Sequence, residues 1–183
     1  IYMKLLMHTC CAPCSVYCID SLRQEGIEPT VYWYNPNIHP FTEYKMRKNT
    51  LVDYAHKINL KLIVENEYGL RSFINGVYPD FDNRCAYCYN VRLDETAKYA
   101  AENGFESFTT TLLVSPYQNH ELLCQTAEKA AKKYGVKFSY HDFRVGFREG
   151  QDTARELGMY MQKYCGCIFS EEDRYKKKRK NDE

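Results

Sequence analysis

The chain has 183 residues, 25 basic and 24 acidic, for a formal net charge of +1. That length suits one domain around one sizeable core. No run of about 18 apolar residues occurs, which excludes a membrane-spanning helix. The start, Ile1-Tyr2-Met3-Lys4, carries no charged-then-apolar leader, so a cytoplasmic protein with Met3 as its natural start is expected.

Taken in chain order, residues 4–8 read as a short buried strand. A helix follows over residues 14–25, with Val16, Ile19 and Leu22 at helical spacing and Gly26 closing it. Residues 30–34, β-branched and aromatic, form a second strand that stops at the turn signal Asn35-Pro36-Asn37. Thr42 is expected to cap a helix reaching about residue 58, and residues 60–64 form a third strand. Residues 68–83 are the least regular stretch and read as a lid or an RNA-contacting insertion. A helix over 92–103, closed by Gly104, leads to a fourth strand at 105–113. A helix over 119–134, stopped by Gly135, leads to a fifth strand at 136–140.

Strands alternating with helices of this length imply an α/β fold, a parallel sheet with helices on both faces. In such a fold the ligand crevice lies outside the carboxyl ends of the strands. The loops there hold Cys10, Cys11 and Cys14, then residues 35–40, 113–119 and 142–146. Residues 1–170 are expected to form a single catalytic domain and residues 171–183 a basic tail. Six of the seven residues 174–180 are Lys or Arg, while the residues before 171 balance. A solvated chain end explains such a run, and so does a contact to a polyanion such as RNA.

The nine cysteines are Cys10, Cys11, Cys14, Cys18, Cys85, Cys88, Cys124, Cys165 and Cys167. An odd number, the absence of a leader and the close spacing of Cys10-Cys11 and Cys165-Gly166-Cys167 oppose a secreted disulfide framework. Clustered reduced cysteines read instead as metal ligands or redox groups. The first cluster, His8-Thr9-Cys10-Cys11-Ala12-Pro13-Cys14, lies on a strand-to-helix turn. Backbone amides and the helix dipole favour thiolate there. Alone, Cys11-Ala12-Pro13-Cys14 is the weak C-x-P-C of thioredoxin-like proteins, which leaves Cys10 unexplained. Cys85-Ala86-Tyr87-Cys88 with Cys165-Gly166-Cys167 far downstream suits a four-thiolate site for zinc or a 4Fe–4S cluster. Three further thiolates at residues 10, 11 and 14 suggest a second metal with an open coordination position.

Cys18 and Cys124 read as small core residues. Asp142 is open between a metal-side carboxylate, a helix cap and an ion-pair partner. His8 reads as a packed core histidine and His39 as an exposed contact. Tyr34, Tyr87, Tyr89 and Tyr117 are candidates to stack on an unpaired base.

Together these residues resemble the QueH family, the cobalamin-independent epoxyqueuosine reductases, over nearly the whole chain. The resemblance rests on residues 8–15, on Asn35-Pro36-Asn37-Ile38-His39-Pro40 with Glu43, Tyr44 and Arg47, and on Arg84-Cys85-Ala86-Tyr87-Cys88 with Arg92-Leu93. It continues through Phe108-Thr109-Thr110-Thr111-Leu112, Ser115-Pro116 and Asp142-Phe143 to Gln162-Lys163-Tyr164-Cys165-Gly166-Cys167. It implies a Rossmann-type, nucleotide-hydrolase-like α/β fold. It further implies reduction of the epoxide of epoxyqueuosine in a tRNA anticodon to the cyclopentene, with electrons from an external donor. It assigns Cys85, Cys88, Cys165 and Cys167 to a 4Fe–4S cluster, and Cys10, Cys11 and Cys14 to a mononuclear iron. Some relatives carry a carboxylate at the position of Cys14. Residues 78–83 are less glycine-rich than the family pattern. Two rival readings remain: a thioredoxin-like oxidoreductase using Cys11 and Cys14, and a zinc-stabilised RNA-binding module.

Overall fold

The structure is a computed structural model that describes residues 4–176. Five parallel strands form one sheet: β1 (Leu5–His8), β2 (Thr30–Trp33), β3 (Leu62–Val64), β4 (Ser107–Thr110) and β5 (Lys137–Phe138). Their spatial order is β3-β2-β1-β4-β5. The helices are α1 (Ala12–Gln24), α2 (Phe41–Lys57), α3 (Leu70–Val77), α4 (Arg84–Glu102), α5 (His120–Tyr134), α6 (Phe147–Glu156) and α7 (Ile168–Lys176). Helix α1 packs with α2 and α6, and α4 packs with α5. The sheet is therefore covered, and β1 and β4 read as continuously buried strands, as central parallel strands must. The expected α/β class is the observed one.

Several boundaries differ from the sequence reading. The fourth strand ends at Thr110, because the Thr110 side chain accepts the Leu112 amide and starts a 3-10 turn over Thr111–Val114. Thr42 does not cap α2: Pro40 holds that position without a side-chain hydrogen bond. Helix α4 starts at Arg84, eight residues before its expected start, so Cys85 and Cys88 lie one turn apart on a helix. Residues 68–83 are more regular than the sequence suggests. They contain α3, whose Phe73 and Val77 bury against Cys88 and Cys167.

Helices α6 and α7 went unread. Helix α6 is short and strongly polar, but it packs on α1, where Gly146 and Gly150 let the backbone meet Tyr17. Helix α5 follows the expected signals at both ends. Asn119 Oδ1 accepts the Leu122 amide, and Gly135 closes the helix at φ 69°. The expected limit at residue 170 falls inside α7, and residues 177–183, most of the basic run, lie outside the described residues.

The chain runs outward from β1 through β2 to β3, then returns to place β4 on the other side of β1. The strand order reverses between β1 and β4, and a doubly wound sheet opens its crevice at such a switch point. Cys10 leaves the end of β1 there, with its amide donating to Thr111 Oγ1 just past β4 at 3.3 Å.

Candidate metal centre

The sulfurs of Cys10, Cys11 and Cys14 lie within 4.8 Å of one another. Cys11 caps α1 and Pro13 stands in its first turn, so a tight bend turns three nearby residues toward one point. Cys11 and Cys14 are buried and Cys10 is partly exposed. The hydrogen bonds of Cys11 and Cys14 hold the Cys10 thiol well below its ordinary range, and the Arg92 charge adds to this against burial. Burial pushes Cys11 up, and the Cys10 and Cys11 sulfurs push Cys14 up. The arrangement therefore favours thiolate at Cys10 over Cys11 and Cys14. Gln162 reaches it from the far end of the chain, Nε2 donating to Cys11 Sγ at 3.0 Å and to Cys14 Sγ at 3.5 Å. Its Oε1 is buried without a protein partner.

The second cysteine group assembles where α4 begins and α7 begins. Cys88 and Cys167 are buried together against Phe73 and Val77, while Cys85 and Cys165 are exposed. Burial pushes Cys88 up to about 12, against the lowering influence of Arg92, and the charges of Cys165, Cys167 and Cys85 add to it. Cys85 is raised by burial and then by Cys165 and Cys167. Donors point at three of the sulfurs: Arg92 Nη2 at Cys88 Sγ (3.1 Å), Gln118 Nε2 at Cys165 Sγ (3.5 Å) and the Ser170 amide at Cys167 Sγ (3.4 Å). Such donors stabilise thiolate and metal-bound sulfur. Among the described residues the sulfurs of Cys10, Cys11 and Cys14 alone form a cluster within 4.8 Å, while Cys88 and Cys167 share a buried cluster and Cys85 and Cys165 lie exposed. A cavity of about 90 Å³ lies beside them, lined by Tyr34, Asn37, Tyr87, Cys88 and Arg92 among others. A second cavity, about 740 Å³, opens by Lys4, Glu28 and Asn103, and no cysteine lines it.

The Cys165–Cys167 loop is fixed by buried polar contacts. Arg47 donates to the carbonyls of Cys165 (2.8 Å) and Tyr164 (2.9 Å) and pairs with Glu43 at 2.7 Å. Tyr160 donates to the same carboxylate at 2.6 Å. A guanidinium buried this fully is costly to mispair. Arg47→Met is expected to lower unfolding free energy by about 3–5 kcal/mol, because Glu43 is left buried without its cation. Glu43→Gln/Arg47→Met should lose less than Arg47→Met alone, and urea denaturation of the variants checks both.

His39 is fully buried, which corrects its expected exposure. Its Nε2 donates to Pro36 O at 2.9 Å and its Nδ1 accepts the Ile168 amide at 3.2 Å. Burial holds its pKa down from 6.5 to about 4. Between those values the unfolded chain binds more protons than the folded one, so stability falls as pH drops through the window. Above pH 6.5 the effect is absent. From this ring alone the loss reaches up to about 3 kcal/mol. His39→Gln is expected to flatten that limb of the curve of urea midpoint against pH.

His8 is a packed core histidine, as read from the sequence. It accepts from or donates to Thr110 Oγ1 at 3.0 Å and lies by Tyr34 O and Asn35 Oδ1, joining three strand ends. Cys18 is core, its thiol donating to Cys14 O, and Cys124 packs at the core's edge. Asp142 is a cap and an ion-pair partner: it accepts the Arg144 amide and binds the Arg144 guanidinium at 2.6 Å, which lowers it to about 2. Tyr34 and Tyr89 are buried and offer no free face to a base, whereas Tyr117 is 84% exposed. Arg47, Arg92 and Gln162 stood in the resemblance motifs without a role. Only Arg92 had a local signal, its position one turn after Cys88.

Comparison with known proteins shows the family. The family profile described as "Epoxyqueuosine reductase QueH" matches residues 5–173. A protein of that name from Dehalococcoides mccartyi is 39% identical over 174 residues, covering 95% of this chain and 96% of its own length. One from Thermotoga maritima is 37% identical and covers 91% of this chain and 89% of its own length. One from Histophilus somni is 34% identical and covers 93% and 73%. With the switch-point cysteines, the second cysteine group and matches of this extent in agreement, the chain belongs to the epoxyqueuosine reductase QueH family.

Proposed function

We propose that this chain is an epoxyqueuosine reductase acting on tRNA, with Cys85, Cys88, Cys165 and Cys167 holding a 4Fe–4S cluster and Cys10, Cys11 and Cys14 holding one iron. The observation that carries this reading is the sulfur triad at the crevice together with a second group of cysteines, drawn from distant parts of the chain, in which Arg92 reaches Cys88. The donor sets fit these metals. Three clustered sulfurs suit a single ion with an open position, and four sulfurs with amide and guanidinium donors suit a cluster. Opening the epoxide to an alkene consumes two electrons and two protons and releases the oxygen as water. Bound there, the cluster supplies electrons singly and the iron supplies Lewis acidity toward the epoxide oxygen.

The chain's own residues prepare the site. Hydrogen bonds from Cys11 and Cys14 favour the thiolate form of Cys10. Gln162 orients Cys11 and Cys14 and keeps an acceptor, Oε1, free at the triad. Thr111 Oγ1 stands 3.6 Å from Cys10 Sγ, a hydroxyl at the reacting end of the crevice. Burial of Cys11 and Cys14 keeps water from the sulfurs. Tyr117 on the rim is free to stack on a splayed base, and Arg174 and Lys176, exposed on α7, are placed to meet phosphates. A tRNA substrate fits a cytoplasmic enzyme supplied by an external electron donor.

Buried, proton-holding Cys11 and Cys14 make a poor attacking pair for a thioredoxin-like reaction. Anaerobically purified protein should be brown and contain iron and sulfide. With a low-potential reductant it should convert epoxyqueuosine in tRNA to the nucleoside lighter by one oxygen, read by mass spectrometry. A colourless protein with one zinc, or intact epoxide in the presence of full iron, sinks the proposal.

A further inference from the structure

The chain buries two arginines at the cysteine groups, and they are partnered differently. Arg47 has a carboxylate, Glu43. Arg92 is 2% exposed, and no carboxylate pairs with it among the described residues. Its polar contacts run instead to Cys88: Nη2 to the sulfur at 3.1 Å and Nε to the carbonyl at 3.2 Å. Burial alone would lower its pKa, but the nearby Cys88, Cys10 and Cys165 outweigh that and raise it. A guanidinium stays charged in proteins and is costly to bury without an anion. The anions available to Arg92 are sulfurs, and they come from both groups.

We propose that Arg92 is the countercharge of the Cys85–Cys88–Cys165–Cys167 group, a positioning residue that makes a cluster bound there easier to reduce. This rests on the reading of those four cysteines as cluster ligands. Reduction adds negative charge at a buried place, and a fixed cation at hydrogen-bond distance from a ligand sulfur stabilises the reduced form. Position 92 suits the task because α4 carries it one turn beyond Cys88, within reach of that sulfur and carbonyl. The Arg92 charge lowers the pKa of both Cys88 and Cys10, so it favours thiolate in each group. Lysine in its place would keep a charge but lose the planar fork that reaches Cys88 sulfur and carbonyl together.

The test is a redox titration of anaerobic protein followed by electron paramagnetic resonance, with iron and sulfide counted in each sample. Arg92→Gln keeps a side-chain N–H but removes the charge. It is expected to retain the cluster with its midpoint potential moved to more negative values than wild type. An Arg92→Gln cluster at the wild-type potential overturns the proposal. If Arg92→Gln does not hold the cluster, Arg92→Lys decides: retention with lysine supports a required charge, and loss in both variants makes Arg92 a folding residue and overturns it. Wild-type protein without iron and sulfide overturns the cluster reading itself, and is recognised before any variant is made.

Discussion

Alanine at Cys85, Cys88, Cys165 or Cys167 is expected to abolish the broad iron–sulfur absorbance and to cut turnover more than about 100-fold, beyond the usual cost of losing a second-layer partner. The four residues come from the first two turns of α4 and the loop before α7. Arg47, Tyr160 and Tyr164 hold that loop against α2 and against residues 36–40, with Tyr164 donating to His39 O at 2.6 Å. Cys88 and Cys167 are sealed by Phe73 and Val77, so their loss also opens the buried side of the site to solvent. Iron and sulfide per chain, with the anaerobic visible spectrum, read the result. Full iron and sulfide in any one of these variants would remove that residue from the ligand set.

The second large effect is expected at the triad. Cys10→Ala or Cys11→Ala should lose activity and part of the iron while keeping most of the cluster signal. The reason is spatial: the triad is built by the end of β1 and the start of α1, and the other group by α4 and the 165–167 loop. Each can be emptied while the elements of the other stay in place. Metal uptake at the triad should also strengthen as pH rises. Cys11 and Cys14 are held as thiols, and both must release protons before three thiolates can bind one ion. Iron analysis of the variants and metal titration of the wild-type protein at two pH values test both parts. Loss of the whole cluster signal in Cys10→Ala would mean that the triad ligates the cluster, and the division into two sites would fail.

How much of this was legible beforehand depends on the range of the interaction concerned. The five strands and the helices between them could be read because periodicity, Gly and Asn punctuation are local properties of the chain. Gly135 and Asn119 did at α5 what their types predict. The cysteine groups were legible for the same reason, since Cys10-Cys11, Cys85-x-x-Cys88 and Cys165-x-Cys167 are short-range spacings. The errors fell where distant packing overrules local preference. Residues 70–77 have little helical signal of their own beyond an apolar face, and that face needs Cys88 and Cys167 to bury against. His39 looked like a loop residue because it stands between turn signals. It is buried because residues 164–168, far along the chain, close over it.

The sequence by itself determined the α/β class and the Cys10, Cys11 and Cys14 cluster, because these depend on residue type and short spacing. The tertiary structure alone decided that the strand order reverses between β1 and β4, which puts the triad at the crevice. It also decided that Gln162 crosses to Cys11 and Cys14, and that Arg47 reaches the carbonyls of Tyr164 and Cys165. Those are contacts between residues far apart in sequence, made where the burial of two or more elements coincides, and no local pattern encodes where that happens.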